Sequence, residues 1–246
     1  MKKTYEEIVD EWCARCIADE GELSLAIGEK AAEMSYHSSK LENDNITLKD
    51  VKDVYEKDSV SDYTGHLFNL YEIRNSKIAY EYFLSSYARH IAPDEKMLCE
   101  MQRLLTLNIY DDIRWRKGER PGQYKKNEYV TGRLEVGAAP KDVPGEVAAL
   151  MAEVPDIDSE RILTGAAYFH ARIEHIHPFA MGNGKTGRLF MNYILAFHNH
   201  PVIIIHEEDR KAYYSALETW DRTEELSPLV AFLMDQTVKT WGQAEG

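Results

Sequence analysis

The segment LFMNYILAF, Leu189 to Phe197, is apolar on nearly every face, a pattern that suits a helix enclosed by other elements. A chain carrying such a helix has to supply partners all round it, and most of this sequence reads as helices able to do so. From Asp158 the positions Ile162, Ala166, Phe169, Ile173 and Ile176 recur at spacings of 4, 3, 4 and 3, one stripe of an amphipathic helix that must end near Pro178. Glu22 to Glu42 is rich in helix formers and stops at Asn43, a residue suited to the left-handed conformation that closes helices. Thr64 to Ala88 and Pro93 to Leu107 read as two more, the second with Pro93 in its first turn and Asp94 and Glu95 near its N-terminal dipole. Ser227 as N-cap and Pro228 at the first helical position open a last one. Only Tyr124 to Pro140 alternates as strands do, with Gly132 available for a turn. The expected fold is all-α, a helical bundle with one small β-hairpin.

With 246 residues, 44% of them apolar, and no linker-like tract, one main domain is the expectation. The formal charge of −13, from 42 acidic against 29 basic residues, argues against a broad grip on nucleic acid or an anionic membrane and favours a small or protein-borne substrate. The start MKKTYEEIVDEWCARC has no apolar h-region, and no run approaches the ~18 apolar residues of a membrane span, so a soluble, cytoplasmic protein is expected. Cys13, Cys16 and Cys99 are too few and odd in number for a disulfide framework. The C-x-x-C of Cys13 and Cys16 reads as two small apolar residues on a helix, because a thioredoxin-type site follows a strand.

The chemistry concentrates in HIHPFAMGNGKTGRLF, His175 to Phe190. It holds a G-x-G-x-x-G at Gly182, Gly184 and Gly187, but these glycines leave a helix rather than the strand a dinucleotide fold requires. The GKT within it lacks the earlier glycine of a phosphate-binding loop, since Phe179 stands there. The physics common to both motifs remains. Glycines allow close backbone approach, and the loop feeds a helix whose first N–H groups have no intrahelical partner, so the turn suits an anion, phosphate above all. His177 precedes the loop, and Lys185 and Arg188 follow. An imidazole of pKa near ~6.5 beside phosphate-binding cations suits proton abstraction from an attacking hydroxyl, hence phosphoryl or nucleotidyl transfer. Zinc binding by His170, His175 and His177 fits poorly, because residue 175 does not share a helix face with the other two.

FHARIEHIHPFAMGNGKTGRLFMNYIL, Phe169 to Leu195, resembles the active-site signature of Fic-domain proteins, H-P-F-x-[DE]-G-N-G-R-x-x-R. The resemblance extends through the hairpin and flanking helices over most of the chain. It implies a Fic-type helical bundle that transfers AMP from ATP to a Ser, Thr or Tyr hydroxyl of a protein target. His177 would be the general base, Pro178 and Phe179 would anchor the loop, and Gly182, Asn183, Gly184, Lys185, Gly187 and Arg188 would bind the nucleotide, with Arg188 on its terminal phosphate. Arg133, Leu134, Glu135, Val136 and Gly137 would form the hairpin flap whose edge pairs with the target backbone.

Two positions depart from the signature. Met181 stands where an acid usually holds Mg²⁺, and a thioether is a poor ligand for a hard cation, so the metal (Mg²⁺, with Mn²⁺ the alternative) would be held by the phosphates of ATP. Lys185 replaces an arginine, keeping its charge and losing its planar fork. Ser38 to Asn43, SSKLEN, resembles the family's inhibitory motif [ST]-x-x-x-E-[GN]. Ser38, Glu42 and Asn43 would then inhibit in cis, Glu42 pairing with Arg188. On this reading residues 1–60 carry the inhibitory helix, about 22–43, and residues 61–246 form the catalytic domain. The partners are ATP and a hydroxyl-bearing protein, without nucleic acid or membrane; a homo-oligomer is left open. The alternatives are removal of AMP by the same site and a catalytically weak nucleotide-binding or interaction module.

Overall fold

The computed structural model describes residues 3–28, 30–60, 63–129, 137–154, 157 and 161–242, and among these the backbone forms twelve α-helices and no strand. The helices are α1 (Tyr5–Ala14), α2 (Glu20–Ile27), α3 (Lys30–Lys40), α4 (Leu48–Lys57), α5 (Leu67–Ala88) and α6 (Glu95–Leu105). They continue as α7 (Asp112–Arg116), α8 (Val143–Glu153), α9 (Ile162–Ile176), α10 (Asn183–Phe197), α11 (Arg210–Thr223) and α12 (Ser227–Trp241). Short polar caps set many of the starts. Thr4 and Glu7 make a reciprocal capping box, and the side chains of Asp19, Thr47, Asp94 and Asp111 each accept an N–H from the first turn that follows.

The all-round apolar segment lies at the centre, as its composition demands. Phe190, Met191, Tyr193, Ile194 and Leu195 of α10 have 0% exposure, enclosed by α9 on one side and α5 and α6 on others. The stripe of α9 faces inward, with Ala166, Phe169, Ile173 and Ile176 all buried and Phe169 stacked on Phe190 at 4.8 Å. Phe169, Ile173 and Ile176 each contribute roughly 1.5–3 kcal/mol by leaving water. One core runs from Trp12 and Met34 near the N-terminus through α10 to Leu233 of α12. Asn192 is the polar exception within the segment Leu189 to Phe197 of α10. Its amide donates to Ile203 O (2.9 Å) and accepts from Ile203 N (2.7 Å), pinning the extended segment that leads to the 3₁₀ turn Glu207–Asp209.

Several expectations need correction. Glu22 to Glu42 is not one helix: Gly28, at φ 54°, breaks it into α2 and α3, a conformation that glycine adopts without a Cβ penalty. Asn43 does not close α3 in the left-handed conformation; its amide instead bridges Asn69 Oδ1 (3.0 Å) and Glu72 Oε2 (2.6 Å) on α5. Pro93 precedes α6, and Asp94 is the N-cap. Leu226, not Ser227, is the N-cap of α12, with Ser227 already helical. Cys13 lies on α1, but Cys16 falls past its end at φ 51°, and both are exposed. The small β-hairpin is not seen: residues 124–129 form no strand, and Arg133, Leu134, Glu135 and Val136, with the turn at Gly132, lie outside the described residues. Among the described residues no helix is long and apolar enough to cross a membrane.

Candidate active site

The site is built where α9 ends and α10 begins. His177 closes α9 in the left-handed conformation (φ 50°, ψ 60°), its N–H bonding Ile173 O at 3.0 Å, and Pro178 prevents the helix from continuing. A non-glycine residue in that region costs roughly 1–2 kcal/mol and persists only where its surroundings hold it. Here Ala138 N donates to Ile176 O (3.0 Å) and Lys125 N to Pro178 O (2.9 Å), bracketing the turn. Gly137, at φ 65°, comes so close that a Cβ there would lie 2.7 Å from His177 Cβ. Burial, helped by Lys125, holds the imidazole down at about 4 against the weaker pull of the Glu174 backbone and Glu42. At neutral pH the ring is therefore uncharged and able to accept a proton.

The loop that follows is locked from below. Phe179 is fully buried, and its N–H and C=O both bond the amide of Asn183, at 2.8 Å each. The Asn183 side chain thus holds the loop and does not face the cleft. Gly182, at φ 80°, is the N-cap of α10 and has no side chain with which to cap the first turn. A Cβ on Gly184 would collide with Glu42 Oε1 and lie 2.8 Å from Arg188 Nη1, so only glycine leaves room for a carboxylate above the helix start. Gly187 serves packing instead: a Cβ there would be 3.0 Å from His170 Nδ1 on α9.

The end of α3 reaches into this space. Glu42 Oε1 accepts from Arg188 Nη2 at 2.6 Å, while Ser38 accepts Arg188 Nε on its hydroxyl and Nη2 on its carbonyl, each at 2.9 Å. Burial alone pushes the Glu42 carboxyl up; Arg188 and Lys185 outweigh it and hold the group below the usual carboxylate range. Lys185 Nζ lies 3.9 Å from Glu42 Oε2 and makes its closest ion pair with Glu72 of α5. Behind the loop, burial pushes Glu174 up to about 7 against the opposing charge of Arg188. The opening in front is a cleft of about 880 Å³, lined in part by Glu42, Asn69, Glu72, Thr106, Met181 and Lys185.

Glu72 and Asn69 were not singled out from the sequence. The available signal was a polar row at Asn69, Glu72 and Asn75, three residues apart on a helix whose neighbouring positions Ile73, Tyr80 and Phe83 are core. Of the histidines weighed for zinc, His170 Nε2 meets Tyr213 Oη at 2.7 Å and His175 Nδ1 meets Asp221 at 2.9 Å. Among the described residues no group of three or more His, Cys, Asp or Glu could hold a metal ion. At the place where the signature carries an acid, Met181 offers the cleft a thioether, and its carbonyl is engaged by Gln102 Nε2 at 2.9 Å. These residues do not fit a protein-held Mg²⁺.

Residues 92–195 match the model of the Fic/DOC family. A protein named "Protein adenylyltransferase Fic" from Drosophila erecta is 31% identical over 213 residues, covering 83% of this chain and 40% of that protein. The protein of the same name from Drosophila melanogaster is 31% identical over 228 residues, covering 89% and 43%. The chain thus spans less than half the length of these curated relatives. Among solved structures, a Fic domain containing signaling protein from Bacteroides thetaiotaomicron superposes with a TM-score of 0.81 at 21% identity, covering 97% of this chain and 94% of that one. The helical scaffold is shared, and residues 92–195, which contain His177, Gly182 and Arg188, form a domain of the Fic/DOC family.

Proposed function

We propose that the chain transfers AMP from ATP to a Ser, Thr or Tyr hydroxyl of a protein, itself included, and that it rests in a self-inhibited state. The observation that carries this reading is the neutral His177 beside a glycine-rich helix start whose Arg188 is occupied by Glu42 at 2.6 Å. The names of the fly relatives support it. In the transfer, the hydroxyl oxygen bonds to the α-phosphorus, the bond to the bridging oxygen of the β-phosphate breaks, and pyrophosphate leaves. The hydroxyl proton goes to the free ring nitrogen of His177. Backbone N–H groups at Gly182 to Gly184, with Lys185 and Arg188, offset the charge that builds on the phosphates. Arg133 to Gly137 are assigned to the target, because Gly137 abuts His177. Functionally the chain divides near residue 60, with the inhibitory segment in 1–60 and the catalytic domain in 61–246. ATP arrives with its own divalent cation.

The test is to incubate wild-type and Glu42→Gly protein with labelled ATP and to follow the protein by intact mass. Addition of AMP to the Glu42→Gly protein is expected. Binding of ATP without incorporation into self or any candidate protein overturns transfer, and loss of AMP from a modified protein shows the reverse reaction instead.

A further inference from the structure

We infer that Glu72 is a second inhibitory carboxylate, which holds Lys185 away from the nucleotide as Glu42 holds Arg188. This rests on the reading of Lys185 and Arg188 as the phosphate-binding cations. Both members of the pair are nearly out of solvent, Glu72 at 5% exposure and Lys185 at 8%, yet both border the cleft in which an anion would be received. An exposed pair would be screened and of little consequence, whereas a pair at this depth competes directly with an incoming phosphate for the ammonium. The Glu72 carboxylate also repels that phosphate, since both groups are negatively charged.

The pair is tied to the inhibitory segment. Asn43, the residue after Glu42, donates its amide to Glu72 Oε2 at 2.6 Å and to Asn69 Oδ1 at 3.0 Å. Glu42 Oε2 stands 3.9 Å from the same Lys185. The turn at the end of α3 therefore engages both cations, Arg188 through Glu42 and Lys185 through Glu42 and the Asn43–Glu72 bridge. α5 is itself fixed at this level, because Asn75, one turn on, bonds Leu107 O at 2.7 Å. Lysine rather than arginine at position 185 makes the latch reversible: a point charge on a flexible stem can swing from carboxylate to phosphate without breaking a bidentate fork. Release of Glu42 alone then frees one cation and leaves the other engaged.

The experiment measures ATP affinity by calorimetry in the Glu42→Gly background, with and without Glu72→Gln, which removes the charge and keeps an acceptor for Asn43. The dissociation constant is expected to fall about tenfold. In transfer assays KM for ATP is expected to fall by a similar factor with kcat nearly unchanged, a split that mere loosening of α5 would not produce. Glu72→Asp, which keeps the buried charge but withdraws it by one methylene, is expected to give a smaller fall and covers the case in which Glu72→Gln does not fold. An affinity that is unchanged or weaker in the folded variants overturns the inference, because Glu72 would then be support for Lys185 rather than its competitor. Absence of any transfer in the Glu42→Gly protein would bear on the proposed activity, while the binding measurement would still decide the role of Glu72.

Discussion

Glu42 and Arg188, 146 residues apart in sequence, meet at 2.6 Å, and the same Nη2 also donates to the Ser38 carbonyl while Nε donates to the Ser38 hydroxyl. Arg188 is 4% exposed, and an anion that binds its Nη2 from the cleft has to displace the carboxylate. The acid that would be displaced belongs to the segment just after α3, and α3 is docked separately through Tyr36 Oη on Glu207 (2.9 Å) and His37 Nδ1 accepting Glu207 N (3.2 Å). Those two contacts do not involve Glu42.

Glu42→Gly is expected to raise AMP incorporation by about 10- to 100-fold, the value of one hydrogen bond between charged groups. Adding Arg188→Ala should cancel the gain, since the freed guanidinium is the group that benefits. Rates measured with labelled ATP on folded proteins check this, and an unchanged rate in Glu42→Gly removes Glu42 from the account of inhibition.

His177→Ala in the Glu42→Gly background is expected to lower transfer by ~10²- to 10⁴-fold while leaving ATP affinity nearly intact. Because the folded imidazole titrates at about 4 rather than 6.5, transfer should show no inflection near pH 6.5 and should fall only as pH approaches about 4. The folded state resists a proton that the unfolded chain accepts, so this group makes stability decline as pH falls from about 6.5 to about 4. Rate profiles together with thermal melts across that window separate the two effects. An inflection in rate near 6.5 on a fully folded protein contradicts the assignment of His177 as a base of depressed pKa.

Asn183→Ala is expected to cost about 1–3 kcal/mol of stability, since it strands the buried N–H and C=O of Phe179. Transfer should be lost as well, because the loop between His177 and α10 is no longer held. Chemical denaturation measures the first and labelled ATP the second; stability equal to wild type would mean that the loop does not depend on this amide.

Met181→Asp in the Glu42→Gly background is expected to lower the Mg²⁺ or Mn²⁺ concentration needed for half-maximal transfer, because a carboxylate replaces a thioether on the wall of the cleft. A metal titration that does not move, in a folded variant, would show that residue 181 does not face the cation that accompanies ATP.

The all-α character, the burial of α10, the stripe of α9 and the helix–loop–helix around His177 were legible in the sequence, because each follows from local apolar periodicity and from where proline and glycine interrupt it. Resemblance to a short signature pointed to Glu42 as a partner of Arg188, but it did not show that Ser38 also binds that guanidinium, and spacing along the chain says nothing of a distance between residues 42 and 188. Local pattern misread the break at Gly28, which continues a run of helix formers, and the role of Asn43, whose amide is engaged by α5 rather than by its own helix. Only the tertiary structure decided that Glu72 pairs with Lys185, that the Asn183 amide bonds the backbone of Phe179, and that burial pushes the His177 imidazole down. Each of these depends on groups brought together by packing from distant parts of the chain, and on the desolvation that packing imposes, neither of which any local window of sequence contains.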